Sequence, residues 1–311
     1  MSTRKTAAVI GGGTMGADIA ATLARAGCGT HLVETVESVR QTLPGRLKAS
    51  LAALGAVERL DRIAVRAGLD GVPWDAVDVV IEAVPEKLDL KRALFADLAS
   101  RARPDAWLAS NSSSFPISAI AEGIPGPQRC AGLHYFMPAH LVPLVEVVCG
   151  AGTDPAVAAQ LADFMRSTGK VPVIVRRDLP GFLANRLQHA LAREAYALID
   201  AGVASAMDVD AAVRFGFGFR YLAAGPILQK DLAGIDIHAA AAATIYPDLA
   251  RDTVPAKVLT DLVAAGRLGM KTGAGFFDWT PETMAAERAR YEAILRGALA
   301  LLGPELPTVD P

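Results

Sequence analysis

Residues 11–16 read Gly-Gly-Gly-Thr-Met-Gly, a G-x-G-x-x-G spacing that follows an apolar run and opens a helical pattern. In that setting each glycine has a use. Gly11 permits a tight turn, Gly13 lets a pyrophosphate approach the backbone, and Gly16 lets helix and strand pack closely. The first helical residues, Thr14, Met15 and Gly16, would then present free N–H groups at the positive end of the helix. Glu34 stands 21 residues after Gly13, at the end of the next predicted strand. A carboxylate there can accept hydrogen bonds from both adenosine ribose hydroxyls and repels the extra phosphate of NADP, so the pattern favours NAD as cofactor. A flavin dinucleotide shares the fingerprint and stays open on the glycines alone.

A second group of residues suits acid–base work. His134 closes a predicted strand, where open α/β sheets place their ligands, and an imidazole titrates at about pH 6.5. Glu146 follows 12 residues later, across the Pro138–Pro143 turn, so the two can lie side by side. The carboxylate would orient the ring and fix its tautomer. Oxidising a secondary alcohol needs such a base, to take the hydroxyl proton while hydride leaves carbon. Ser113 and Asn185 carry donors that can hold the reacting oxygen. Plainer readings exist for each: a satisfied strand-end histidine, a glutamate paired with an arginine, Ser112–Ser114 as a helix cap, and Asn185 as a cap near Phe182. His31, His140, His189 and His238 show no metal-ligand spacing, so no metal is expected. His140 is near enough to His134 to be a substrate-contact candidate.

The elements that must position these groups alternate. Apolar runs at 7–10, 31–33, 77–84, 106–109, 131–136, 144–148 and 171–175 read as strands. Helical patterns fill 15–26, 37–54 and 86–102, with Pro44 expected to break or kink the second. Continuous apolar strands between helices mean a mostly parallel sheet covered on both faces. After Arg177 the strand signal stops, and 184–201, 207–213, 229–243, 255–265 and 281–302 read as helices. The expected fold class is α/β: a Rossmann-like doubly wound sheet over 1–180, then an all-helical domain over 181–311.

The chain of 311 residues is long enough for two domains with a core of their own. It carries 31 Lys and Arg against 33 Asp and Glu, a balance that recruits neither nucleic acid nor an anionic membrane. Three widely spaced cysteines, Cys28, Cys130 and Cys149, argue against a disulfide framework and for a reducing cytoplasm. The basic start, 1–5, precedes an apolar stretch too short for a secretory signal, and no apolar run is long enough to span a membrane. A cytoplasmic protein is expected.

Four further segments carry a resemblance: Ile81-Glu82-Ala83-Val84-Pro85-Glu86, Ser110-Asn111-Ser112-Ser113-Ser114, Gly132-Leu133-His134-Tyr135-Phe136-Met137-Pro138, and Pro180-Gly181-Phe182-Leu183-Ala184-Asn185-Arg186. In this order after the glycine turn, they resemble the 3-hydroxyacyl-CoA dehydrogenase family. The likeness extends to Gly225-Pro226 and to Lys271-Thr272-Gly273-Ala274-Gly275-Phe276, and so covers about residues 5–280. It implies a C-terminal domain that forms a homodimer and a place in fatty acid metabolism. It implies His134 as general base, Glu146 as its partner, Ser113 and Asn185 on the reacting oxygen, and Glu86 and Asn111 beside the nicotinamide.

The chain departs from the family at two places. Met137 stands where the motif carries Asn, which bears on substrate contact. Residues 48–59 are shorter and poorer in Lys than the hairpin that meets the CoA nucleotide, leaving Ser50 and Lys48 as candidates. The stretch 215–221 resembles relatives acting on free hydroxy acids such as gulonate, carnitine or a pyridine carboxylate. There Arg220 is either a bidentate carboxylate clamp or a surface ion pair. The expected activity is NAD-dependent interconversion of a 3-hydroxy and a 3-oxo group on an acyl-CoA. A small free hydroxy acid as substrate, or a non-catalytic NAD-binding structural role, are the alternatives.

Overall fold

The computed structural model of the chain describes residues 5–309. Its sheet is built from β1 (Thr6–Ile10), β2 (Gly29–Val33), β3 (Ile63–Arg66), β4 (Val79–Glu82), β5 (Trp107–Ser110), β6 (Cys130–Tyr135), β7 (Leu144–Cys149) and β8 (Val171–Val175). They lie in the order β3-β2-β1-β4-β5-β6-β7-β8. Every neighbouring pair is parallel except β6 with β7, which pair antiparallel. The winding reverses at β1, so the crevice beyond its carboxyl end is the switch point where such sheets take ligands.

Helices α1 (Thr14–Arg25), α2 (Glu37–Ala53), α3 (Leu88–Arg101), α4 (Ile117–Ile120) and α5 (Pro155–Ser167) flank the sheet. Ile19 and Leu23 of α1, Leu43 and Leu47 of α2 and Leu161 and Met165 of α5 share one apolar layer with the strands. Phe95 and Leu98 of α3 and Ile117 and Ile120 of α4 fill another. The strands are thus apolar on both sides because both sides are covered.

Of the break or kink expected at Pro44, the break does not occur: α2 runs through it to Ala53. The proline removes one helical hydrogen bond, but Leu43, Leu47 and Leu51 on one stripe are all buried, and that packing outweighs the loss. The short edge strand β3 was not expected.

Contacts divide the chain into two units. The first runs to Arg186 and takes back the tail from Gly303, whose Pro307 and Val309 lie against Gly169; the second is Leu187–Leu302. Helix α6 (Ala184–Asp200) leads into the second unit, which contains α7 (Ala206–Ala212), α8 (Gly218–Arg220), α9 (Pro226–Ala233), α10 (Ile235–Ile245), α11 (Lys257–Ala264) and α12 (Pro281–Leu302). The single helix expected over 229–243 is two, because Gly234 takes φ +101° and turns the chain between α9 and α10.

Candidate active site

The antiparallel register of β6 and β7 sets His134 directly opposite Glu146. His134 Nδ1 lies 2.7 Å from Glu146 Oε2, and both side chains are buried. A carboxylate at that nitrogen keeps the proton on Nδ1 and leaves Nε2 as the acceptor. Nε2 lies 3.0 Å from Ser113 Oγ. Among the described residues no arginine pairs with Glu146. Its Oε1 accepts instead from the backbone N–H groups of Leu183, at 3.1 Å, and Ala184, at 2.7 Å, where α6 begins. Phe182 just before them adopts φ +52°, a strained value for a side-chain-bearing residue, and its ring meets the His134 ring edge-on at 5.5 Å. Phe136 packs against the imidazole from 4.4 Å. Asn185 Nδ2 reaches the Ser113 carbonyl at 3.4 Å.

A charged network supports the serine turn. Glu86 Oε1 accepts from both the hydroxyl and the N–H of Ser114, from the N–H of Ser113 and from the Ser112 hydroxyl. Lys91 Nζ lies 3.1 Å from Glu86 Oε2 and 2.7 Å from Glu82 Oε1, while Ser110 donates to Glu82 Oε2 at 2.6 Å. Burial alone would raise the Glu86 carboxyl; the Ser112 and Ser114 hydrogen bonds, with Lys91 beside it, outweigh this and hold it down to about 2. Asn111 uses its Oδ1 to accept from Tyr135 N at 2.9 Å, which ties β5 to β6 and leaves its NH2 without a protein partner among the described residues. Sequence reasoning missed Glu82 and Lys91. The available signal was a glutamate inside an apolar strand, which needs a counter-charge when buried.

The glycine loop fits a dinucleotide. Gly11 has φ +108°, and a Cβ on Gly16 would fall 1.7 Å from the Gly11 carbonyl oxygen, so helix and turn touch there. A Cβ on Gly13 would meet nothing, which leaves that approach open. Gly13 also caps α1 without a side chain, so the N–H groups of Thr14, Met15 and Gly16 begin the helix uncovered by a cap. Glu34 accepts from Gly12 N through Oε2 and from Val36 N through Oε1, each at 2.8 Å, which aims the carboxylate beside the loop.

Two family profiles cover this architecture: 3-hydroxyacyl-CoA dehydrogenase, NAD binding domain, over residues 6–179, and 3-hydroxyacyl-CoA dehydrogenase, C-terminal domain, over 181–279. The chain belongs to the 3-hydroxyacyl-CoA dehydrogenase family. It is an NAD-dependent dehydrogenase acting on CH–OH groups. Among its relatives is a 5-formyl-3-hydroxy-2-methylpyridine 4-carboxylate 5-dehydrogenase of Mesorhizobium japonicum, 34% identical over 94% of this chain and 97% of that protein. A 3-hydroxyadipyl-CoA dehydrogenase of Escherichia coli is 37% identical over 90% of this chain, which spans 60% of the relative. A solved structure of a 5-formyl-3-hydroxy-2-methylpyridine 4-carboxylic acid 5-dehydrogenase, described as an NAD+-dependent dismutase, superposes with a TM-score of 0.89 at 32% identity. That match covers 96% of this chain and 98% of the solved one.

The substrate candidates of this 3-hydroxyacyl-CoA dehydrogenase family member fall in different places. Ser50, expected among the substrate candidates, points into the protein interior. It is buried on α2 and donates to Asp18 Oδ1 at 2.8 Å, because a buried carboxylate needs donors. His140 Nδ1 lies 2.9 Å from the other oxygen of Asp18, off the line of a hydrogen bond. Lys170 Nζ, also buried, donates to the carbonyls of Ala139 and Val142 and fixes the β6–β7 turn; burial, then Arg25, push it down to about 7, against the pull of Asp18. Met137 is 65% exposed at the start of that turn. Arg220 is exposed in the second unit and has no carboxylate partner among the described residues, so it is no surface ion pair there. No group of side chains able to hold a metal occurs among the described residues.

Proposed function

We propose that the chain interconverts a 3-hydroxy and a 3-oxo group with His134 as general base. The observation that carries this is the Glu146–His134–Ser113 chain of contacts, 2.7 and 3.0 Å long, with the imidazole buried between them. NAD, held by Gly11, Gly13, the first N–H groups of α1 and Glu34, supplies the hydride acceptor. Glu146 keeps Nδ1 protonated, so Nε2 takes the substrate hydroxyl proton and the imidazolium that forms sits against a carboxylate. Ser113 and the Asn185 amide hold the substrate oxygen, and Phe136 and Phe182 exclude water from one side of the ring. Glu86 holds the turn that carries Ser113, and Asn111 and Glu86 face the nicotinamide side. The homodimer and the cytoplasmic location belong to this proposal, supported by the apolar exposure of the second unit and by the odd number and wide spacing of the cysteines.

The family default for the substrate is a 3-hydroxyacyl-CoA. Two observations favour a second reading, a small free hydroxy acid. Ser50 is occupied by Asp18, and the pyridine-carboxylate relative matches this chain along nearly the whole length of both. Met137 and Arg220 are then the side chains to test for substrate contact. NADH formation would be followed with (S)-3-hydroxybutyryl-CoA, 3-hydroxybutyrate, L-gulonate and L-carnitine, on wild type and His134→Ala. Loss of about a thousandfold or more in kcat on the active substrate is expected for His134→Ala. An active wild type matched by His134→Ala would sink the catalytic assignment. Turnover of the thioester alone would sink the free-acid reading, and turnover of a free acid alone would sink the thioester reading.

A further inference from the structure

Arg46 has no part in the site described above, yet it touches the dinucleotide loop. It lies on α2, one turn beyond the buried Leu43, half-buried, and its Nη1 donates to the Gly12 carbonyl at 3.1 Å. That is its one protein hydrogen bond among the described residues, and no carboxylate pairs with it there. A guanidinium has five N–H donors, so four stay unused beside the loop. The placement is tight. A Cβ added to Gly12 would meet Glu34 Cβ at 2.9 Å and Leu43 Cδ1 at 3.1 Å, so α2 and the end of β2 press directly on this glycine.

Gly12 is held from both sides by opposite charges. Its N–H goes to Glu34 Oε2 and its carbonyl to Arg46. The carbonyl shares its peptide unit with the Gly13 N–H, at the residue whose approach is open. A cation on that carbonyl polarises the unit and strengthens the N–H as a donor. An unpaired guanidinium therefore stands beside the backbone that receives an anion, with a planar fork suited to phosphate.

We propose that Arg46 is a pyrophosphate-binding residue of the cofactor site, keeping its bond to Gly12 while its free donors engage a phosphate oxygen of NAD. NAD and CoA thioesters both contain a pyrophosphate; the contact with the glycine loop assigns Arg46 to the dinucleotide.

The test is binding of NADH, ADP and adenosine to the full-length protein, wild type, Arg46→Met and Arg46→Lys, followed by calorimetry or ligand competition. Arg46→Met should weaken NADH and ADP about tenfold or more and change adenosine less than twofold. Arg46→Lys should recover part of the loss, and the salt dependence of NADH binding should become shallower in Arg46→Met. In turnover, the change should fall on KM for NAD and not on kcat. Equal losses for adenosine and ADP would mean that Arg46 only braces the loop, and would overturn the proposal. So would unchanged NADH binding with a raised KM for a CoA thioester, which would give Arg46 to the substrate. If Arg46→Met fails to fold, Arg46→Gln is read by the same ratio of ADP to adenosine.

Discussion

At the scale of single residues, the role proposed for Glu34 is to decide which dinucleotide fits. Both its oxygens are fixed by backbone N–H groups, so the carboxylate cannot turn away from an incoming phosphate. Arg40 stands next to it, with Nη1 on the carbonyls of Glu34 and Thr35 and Nη2 on Glu37. Replacing the carboxylate with a hydroxyl removes the repulsion and leaves a cation beside the ribose position. Glu34→Ser should therefore lower the ratio of kcat/KM for NAD to that for NADP by about tenfold or more, a shift of about 1.4 kcal/mol. Steady-state rates with the two cofactors check it; an unchanged ratio would show that discrimination lies elsewhere in the loop.

At the scale of elements, the turn after β5 depends on a carboxylate that works only while ionised. Glu86 has a carboxyl held at about 2 against an ordinary value of 4.5. A depressed carboxyl contributes stability that is fully present above the ordinary value and is lost as pH falls through the folded one. The wild-type melting temperature should therefore fall between about pH 4.5 and pH 2, and Glu86→Gln should flatten that limb. Thermal melts at intervals of pH check it, and parallel slopes in the two proteins would contradict it. This support for the turn was not legible in the sequence. Glu82, Lys91 and Ser110 are separated along the chain and come together only through the register of β4 with β5 and the first turn of α3. The pair His134 and Glu146 was legible, because a short turn between two apolar strands leaves them opposite in an antiparallel register. The glycine loop was legible because its spacing is read against one strand and one helix. The strand β3 was not, since its apolar run is only Ile63-Ala64-Val65 and none of its residues is buried at the sheet edge. Nor was the course of α2 past Pro44, because the packing that carries it lies in Leu43, Leu47 and Leu51 and not in local propensity.

At the scale of the whole molecule, the second unit has apolar side chains without enough cover. Helices α6, α7, α9, α10, α11 and α12 contain no buried residue among those described. Ile227 is 77% exposed, Leu232 74% and Phe215 72%. Single exposed apolar residues are ordinary, but an apolar surface shared by whole helices marks an interaction face. Ordering so many residues costs about 1–2 kcal/mol each in backbone entropy, and burial must offset that cost. A second copy of the chain brings the same apolar surface and can cover it in a self-complementary contact. Sedimentation at micromolar concentration should therefore give about twice the chain mass. Burying one leucine or isoleucine contributes about 1.5–3 kcal/mol, and each 1.4 kcal/mol is tenfold in affinity. Ile227→Glu and Leu232→Glu should each weaken association about tenfold or more where the side chain lies in the interface. A chain that stays monomeric at these concentrations, with an intact melt, would refute the dimer and leave the apolar helices to another occupant.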